Sequence, residues 1–239
     1  METLVIIPSR LNSKRLPEKP LISIKGKSLI NRVYHQVKKC SNKIDILIAT
    51  DNEKIFDHVQ SFNGEVVLTN EKHVSGTDRC NEVVQSLKKQ YDLIINVQGD
   101  EPIINPNIID DIINTFDDIK DEIITVAKEI NDPIQINNEH IVKVEFNSEM
   151  MAKDFFRKSK NKSQNLYYKH YGIYAFKPSI LNEVCNLKQT QNELNNNLEQ
   201  LRWLDNKYKI RIMKTKFPNV SIDNKEDIEY LLKKYDQEL

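Results

Sequence analysis

Ile6-Ile7-Pro8-Ser9-Arg10-Leu11-Asn12-Ser13-Lys14-Arg15-Leu16-Pro17-Glu18-Lys19-Pro20 joins the end of a β-branched run to a loop carrying four cations, Arg10, Lys14, Arg15 and Lys19. The run 3–7 reads as a strand that Pro8 ends. Working outward, similar short runs at 44–49, 65–68 and 93–97 alternate with helical patterns. One helix is expected over 28–39, where Leu29, Ile30, Val33 and Val37 fall on one face, and another over 77–89, with Val83, Val84 and Leu87. Strand and helix alternating at this period predict βαβ units, hence an α/β fold whose mostly parallel sheet carries helices on both faces. Ligands of such sheets sit beyond the carboxyl ends of the strands. That rule points to Pro8 onward, to Thr50 and Asp51, and to Gln98 onward.

Past Asp132 the rhythm changes: strands are expected at 141–146, 167–176 and 210–213, forming a β-rich excursion around 132–205 within a single domain spanning 1–239. The polar run 158–165 and the tract Asn195 to Asn197 read as exposed loops. An amphipathic helix is expected over 224–234, with Ile228, Leu231 and Leu232 on one face.

Lys plus Arg total 35 and Asp plus Glu total 35, so no global field draws the chain toward nucleic acid or an anionic membrane. Neither is expected as a partner. The three cysteines, Cys40, Cys80 and Cys185, lack metal-ligand spacing and read as reduced thiols. The apolar runs fall far short of the roughly 20 residues that span a bilayer, and the N-terminus has no signal-peptide pattern, so a cytoplasmic location is expected.

A triphosphate spreads its charge over several oxygens, which a loop offering Arg10, Lys14, Arg15 and Lys19 together with backbone N–H groups from Leu11 to Ser13 can neutralise. A solvated basic loop is the competing reading, opposed by the position after strand one and by the stiffening prolines. Gly26-Lys27-Ser28 imitates the end of a P-loop, but Leu21 stands where the first glycine of that motif belongs, and no G-x-G-x-x-G fingerprint occurs. Val97-Gln98-Gly99-Asp100-Glu101-Pro102 ends a strongly apolar strand with an acidic pair. Asp100 there can hold Mg²⁺ against phosphate oxygens, although a polar turn has the same composition. In His73-Val74-Ser75-Gly76-Thr77-Asp78-Arg79, Thr77 is a candidate helix cap, and Asp223 with Glu226 has capping-box spacing while also being able to ligate metal. His170, Gly172 and Tyr174 share a strand face by period-two alternation and read as a ligand wall. With only five glycines in the chain, each is expected at a close approach or a positive φ.

These segments resemble the 3-deoxy-manno-octulosonate (Kdo) cytidylyltransferases in order along nearly the whole chain. The likeness is carried by IIPSRLNSKRLPEKPL at 6–21, IATDNEKI at 48–55, HVSGTDRCNEV at 73–83, INVQGDEPII at 95–104, VKV at 142–144, KHYGIYAF at 169–176, LEQLRWL at 198–204 and IDNKEDIE at 222–229. The resemblance implies a Rossmann-like nucleotide-diphospho-sugar transferase fold with a small β-rich dimerisation subdomain, and a homodimer. It implies a Mg²⁺-dependent enzyme, using two ions, that transfers CMP from CTP to the anomeric hydroxyl of Kdo, an acidic 3-deoxy sugar, giving CMP-Kdo and pyrophosphate for lipopolysaccharide or capsule synthesis. By the same likeness Arg10, Ser13, Lys14, Arg15 and Lys19 meet the triphosphate, with Arg10 and Lys19 catalytic. Ser75, Gly76, Thr77 and Arg79 read cytosine and its ribose, and Gln98 sits where nucleotide and sugar meet. Asp100 and Asp223 are the implied metal ligands, and Arg157, His170, Tyr174, Glu199 and Gln200 line the sugar pocket. Three departures stand out: Glu18 where glycine is usual, Asp223-Asn224-Lys225 for aspartate-threonine-proline, and an altered, shortened stretch between Asp154 and His170. Another acidic sugar, such as 8-amino-Kdo or a nonulosonic acid, and a catalytically silent nucleotide-binding protein are the alternatives.

Overall fold

A computed structural model describes residues 1–13, 15–117, 120–158 and 166–239. In chain order its elements are β1 (Thr3–Ser9), β2 (Ser23–Ile24), β3 (Lys27–Ser28), α1 (Leu29–Val37), β4 (Asp45–Thr50), α2 (Glu53–Ser61), β5 (Val66–Leu68), α3 (Gly76–Ser86), β6 (Leu93–Asn96) and α4 (Pro106–Thr115). There follow β7 (Ile123–Ile130), α5 (Pro133–Asn137), β8 (Lys143–Phe146), β9 (Ala152–Phe156), β10 (Tyr167–Phe176), α6 (Pro178–Cys185), α7 (Gln191–Asn196), α8 (Glu199–Asp205), β11 (Ile210–Thr215) and α9 (Lys225–Lys234). The chain divides into two compact units, one made of Met1–Asn114 with Pro218–Leu239 and the other of Thr115–Phe217. The excursion expected over 132–205 falls inside the second.

Unit 1 is the parallel α/β body. β1 pairs in parallel with both β4 and β6, and β4 with β5, giving the order β6-β1-β4-β5. Val5, Ile6 and Ile7 of β1 and Leu93, Ile94 and Ile95 of β6 are fully buried. Strands covered on both faces have no polar side to alternate with, which is why these runs are continuously apolar. Helix α1 starts where the Ser28 hydroxyl accepts the Asn31 N–H. The Gly26-Lys27-Ser28 imitation of a P-loop is a two-residue hairpin: Lys25 (φ 48) and Gly26 (φ 79) turn between β2 and β3, pairing Ser23 with Ser28 and Ile24 with Lys27. At the other end of the chain, α9 packs Leu231 into a cluster with Leu16, Ile24, Leu29, Ile103, Val220 and Ile222. Leu16 thus ties the cationic loop into the core, and burying one leucine is worth about 1.5–3 kcal/mol.

Unit 2 is mixed. β11 runs parallel to β7, β10 antiparallel to β7, and β8 and β9 add antiparallel strands beyond β10. The β7–β10 register jumps between Tyr171, which faces Val126, and Tyr174, which faces Thr125. A bulge at 172–173 therefore interrupts the expected period-two alternation. Two loop expectations are corrected or left open here. Asn195 and Asn196 end helix α7, capped by Asn197 in the left-handed region, because Thr190 starts a helix whose Glu193 is buried. The stretch 159–165, most of the loop expected at 158–165, lies outside the described residues. Among the described residues, no helix is long and apolar enough to cross a membrane.

Candidate functional site

Beyond the carboxyl ends of β1 and β6 in unit 1 lies an open pocket of about 390 Å³. Its floor is Pro8, Ser9, Gln98 and Gly99, and its walls include Arg10, Ser13, Arg15, Lys19, His73, Ser75, Gly76, Arg79, Asp100 and Asp223. Two glycines set the depth of that floor. A Cβ on Gly99 would come within 2.9 Å of the Pro8 carbonyl oxygen, and one on Gly76 within 3.0 Å of the Pro8 ring. Only glycine lets the three segments close on the end of β1.

The cationic loop reaches the pocket through a short 3₁₀ turn at Lys19–Leu21, preceded by Glu18 in the left-handed region (φ 52, ψ 30). That conformation explains why glycine suits the position. Glu18 turns its carboxylate away to Lys54 of α2, at 2.5 Å, so the acid placed in the loop is answered by a cation outside it. Lys14 lies outside the described residues.

Lys19 is the hub of the charged end. Its ammonium donates to Asp100 at 2.6 Å and to Asp223 at 3.3 Å, while the Arg15 guanidinium meets Asp223 at 2.8 Å. Burial pulls the Lys19 amine down, but Asp100 and then Asp223 outweigh it, so the net shift is upward and the amine stays charged. The two carboxylates are held side by side by the backbone as well, since Ile222 N–H donates to the Asp100 carbonyl at 2.9 Å. Asp223 is not the cap of the last helix, contrary to its capping-box spacing with Glu226. Asn224 caps α9 and Asp227 completes the box, one residue later, and Asp227 also accepts the Asp223 N–H at 2.7 Å. The shift frees the Asp223 side chain for the pocket.

Two carboxylates converging on one point charge are a hard-oxygen donor pair suited to a divalent cation such as Mg²⁺, which commonly takes one or two carboxylates and completes its shell with phosphate oxygens and water. Among the described residues no group of three or more His, Cys, Asp or Glu could hold a metal alone. The residues present therefore fit an ion that arrives with a phosphate ligand.

At the opposite end, Ser75 caps α3: its hydroxyl accepts the Asp78 N–H and donates to the Asp78 carboxylate at 2.9 Å. Thr77, expected as a possible cap, lies inside the helix and is buried, away from the pocket lining. Arg79 lines the pocket, yet its guanidinium is buried and bonded to Asp51 at 2.8 Å, to the Thr69 hydroxyl and to the Asn70 carbonyl. Asp51, singled out only by its place after β4, is thus the partner that aims Arg79. His73 and Val74 also line the pocket without having been singled out, and His73 is fixed by its bond to Glu82 of α3.

The other expected site residues, apart from Gln98, lie in unit 2. His170 Nε2 is 2.9 Å from the Thr125 hydroxyl, which reaches the Ile173 carbonyl at 2.8 Å. With the hydroxyl donating to Ile173, the imidazole donates to Thr125. Burial pushes the His170 pKa down to about 3, so the ring is neutral and acts by hydrogen bonding and shape. Tyr174 packs against it, ring centres 5.4 Å apart, and edge-on against Trp203 at 4.9 Å. Burial and then the nearby Glu199 hold the Tyr174 phenol well above its usual value. Glu199 is paired with Arg202 at 2.9 Å, and Gln200 beside it is buried. Arg157 stands apart from this group: its guanidinium reaches the carbonyls of Asn196, Glu139 and His140 at 3.3–3.4 Å.

Comparison with known proteins gives a consistent likeness. A family model described as cytidylyltransferase matches residues 4–212. A 3-deoxy-manno-octulosonate cytidylyltransferase of Parabacteroides distasonis is 39% identical, covering 97% of each chain. One of Cytophaga hutchinsonii is 40% identical over 93% of each, and one of Fusobacterium nucleatum 37% over 97% of this chain and 96% of its own. Among solved structures, a CMP:2-keto-3-deoxy-manno-octonic acid synthetase complexed with CTP superposes with a TM-score of 0.91 and 31% identity over the full length of both chains. A cytidylyltransferase from Leptospira borgpetersenii, 16% identical, has a TM-score of 0.66 over 97% of this chain and 85% of its own, a likeness of fold alone.

Proposed function

The chain belongs to the 3-deoxy-manno-octulosonate cytidylyltransferase family, and we propose that it transfers CMP from CTP to the anomeric hydroxyl of Kdo, releasing pyrophosphate. The observation that carries this reading is the meeting of Asp100 and Asp223 on Lys19 in a pocket walled by Arg10 and Arg15. A pocket in which each carboxylate already has a cation can accept a polyanion together with divalent ions, because the charges they bring offset one another.

In this proposal the triphosphate takes over Arg10, Ser13, Lys14, Arg15 and Lys19. Lys19, swung from its carboxylates to the α-phosphate, offsets the negative charge that grows there in the transition state. Asp100 and Asp223 would be the residues that hold Mg²⁺, expected as two ions, and the metal would supply charge neutralisation and a lowered pKa at an oxygen ligand. The Kdo hydroxyl forms its bond to the α-phosphorus, giving up its proton to water, as the bond to pyrophosphate breaks, so no covalent enzyme intermediate is needed. Ser75, Gly76, Thr77 and Arg79 belong to the base and ribose side, Arg79 from the pocket wall and Thr77 from a buried position in α3 that sets the start of the helix. Gln98 serves nucleotide and sugar, and Arg157, His170, Tyr174, Glu199 and Gln200 serve the sugar. The neutral imidazole of His170 suits a hydroxyl, which leaves the carboxylate to Arg157. A homodimer working in the cytoplasm, where CTP is made, completes the proposal.

A pyrophosphate-release screen of CTP, UTP, ATP and GTP against Kdo, 8-amino-Kdo and sialic acid, with and without Mg²⁺, tests this. Turnover is expected with CTP and Kdo and only with the metal. Preference for UTP or metal-independent turnover overturns the nucleotide half, and preference for either other sugar overturns Kdo as substrate.

A further inference from the structure

Lys143 of β8 is 0% exposed, and the ammonium it carries has no carboxylate partner among the described residues. Burial pulls its amine down and Glu139 only partly restores it. An apolar side chain would suit such a place better, since removing an ammonium from water is costly unless something specific is gained. Its contacts show what is gained. Nζ donates to the Asn138 carbonyl at 2.7 Å and to the Arg157 carbonyl at 2.6 Å. Asn138 immediately precedes Glu139 and His140, whose own carbonyls accept the Arg157 guanidinium. One ammonium therefore grips both the backbone from which Arg157 departs and the turn over which its head rests.

The two ends of Arg157 are held very differently. At the root, a charge-assisted bond is short; at the head, three contacts of 3.3–3.4 Å are near the limit of a hydrogen bond and easily exchanged. A fixed root and a loosely held guanidinium with no carboxylate partner among the described residues are what capture of a carboxylate requires, because the ordering cost falls on the scaffold before the ligand arrives. We propose that Lys143 is a positioning residue for acidic-sugar recognition, acting through Arg157 without touching the substrate. The inference rests on the reading that Arg157 meets the Kdo carboxylate.

Steady-state kinetics of Lys143→Met, Arg157→Ala and the double variant, with CTP affinity by calorimetry as a control for the nucleotide side, tests the idea. Lys143→Met is expected to raise the KM for Kdo about tenfold with CTP affinity within about twofold of wild type, and to add nothing further in the Arg157→Ala background. An unchanged KM for Kdo, an equal weakening of CTP, or a tenfold rise that persists in the Arg157→Ala background overturns the proposal. If the methionine variant does not fold, Lys143→Gln, which keeps an uncharged donor, bears the same comparison. Wild-type enzyme inactive with Kdo would refute the proposed substrate, whereas an active wild type with an indifferent Lys143 variant refutes the positioning role alone.

Discussion

Around the pocket of unit 1, Lys19 is answered by Asp100 and Asp223, Arg15 by Asp223 and Arg79 by Asp51, whereas in unit 2 Lys143 and Arg157 are answered by carbonyl oxygens and His170 is kept uncharged. Away from the expected sugar pocket unit 2 does pair cations with acids, Arg211 with Asp121 among them, and Arg202 is paired with Glu199 and Glu193. A cation held by carboxylates must be released before it can serve a ligand, and its release leaves two acids free to take a metal. A cation held by carbonyls keeps its full charge for an incoming anion. The first arrangement suits a ligand that brings both phosphates and a divalent ion, the second a simple carboxylate.

The harshest way to break this contrast is to remove a carboxylate of unit 1. Asp100→Asn is expected to lower turnover about 100- to 1000-fold with the fold intact by circular dichroism; pyrophosphate release near the wild-type rate would show that the acid is only a partner for Lys19.

In unit 2 the contrast is sharpened by pH. Because His170 is neutral when folded and its pKa is lowered, the unfolded chain binds more protons below about pH 6.5, and stability contributed by the neutral ring is lost as pH falls from there. Wild type should lose about 2 kcal/mol more than His170→Asn between pH 6.5 and 4.5, measured by urea unfolding. Parallel curves would mean that the ring titrates normally and that unit 2 does present a cation there.

A smaller effect isolates the exchange in unit 1. Lys19→Met removes the internal cation from between Asp100 and Asp223, so Mn²⁺ binding in the absence of nucleotide, followed by paramagnetic resonance, should tighten about tenfold, or ~1.4 kcal/mol. Unchanged affinity would show that the lysine does not guard the site. The smallest effect is expected at Glu18→Gly. Relief of the left-handed backbone is offset by greater freedom in the unfolded chain and by loss of an exposed pair, leaving a change of less than about 1 kcal/mol by thermal unfolding. A larger loss would make the Glu18–Lys54 pair a structural latch.

The parallel body was legible because its strands and helices obey simple periods, and β10 was placed at both ends, Tyr167 to Phe176. β7 was not singled out, since Ile-Ile-Thr-Val-Ala from Ile123 to Ala127 is buried throughout and shows no alternation. Helix α2 escaped as well, burying only Ile55 and Val59. At the site, the cations of the first loop and the acid after β6 could be read as a set, but not their partners. Lys19 and Asp223 are separated by 204 positions, and Asp51 had no local mark of its bond to Arg79. The capping boxes of Asp223–Glu226 and Asn224–Asp227 have the same spacing, so the choice fell to a distant contact, Ile222 on Asp100. Gly99 needed no φ > 0; what excludes a side chain there is the end of another strand, Pro8.

Unit 1 is assembled from two stretches of chain with all of unit 2 between them. A ribosome delivers Lys19 and Asp100 long before it reaches Asp223, so for most of its synthesis the nascent chain holds half of the acidic pair. The parallel body can begin to form around β1, β4 and β6, yet the pocket cannot acquire its second carboxylate until Ile222 closes on Asp100. Competence to handle a nucleotide is thereby deferred until unit 2 has emerged, a check on incomplete chains that costs no extra residue.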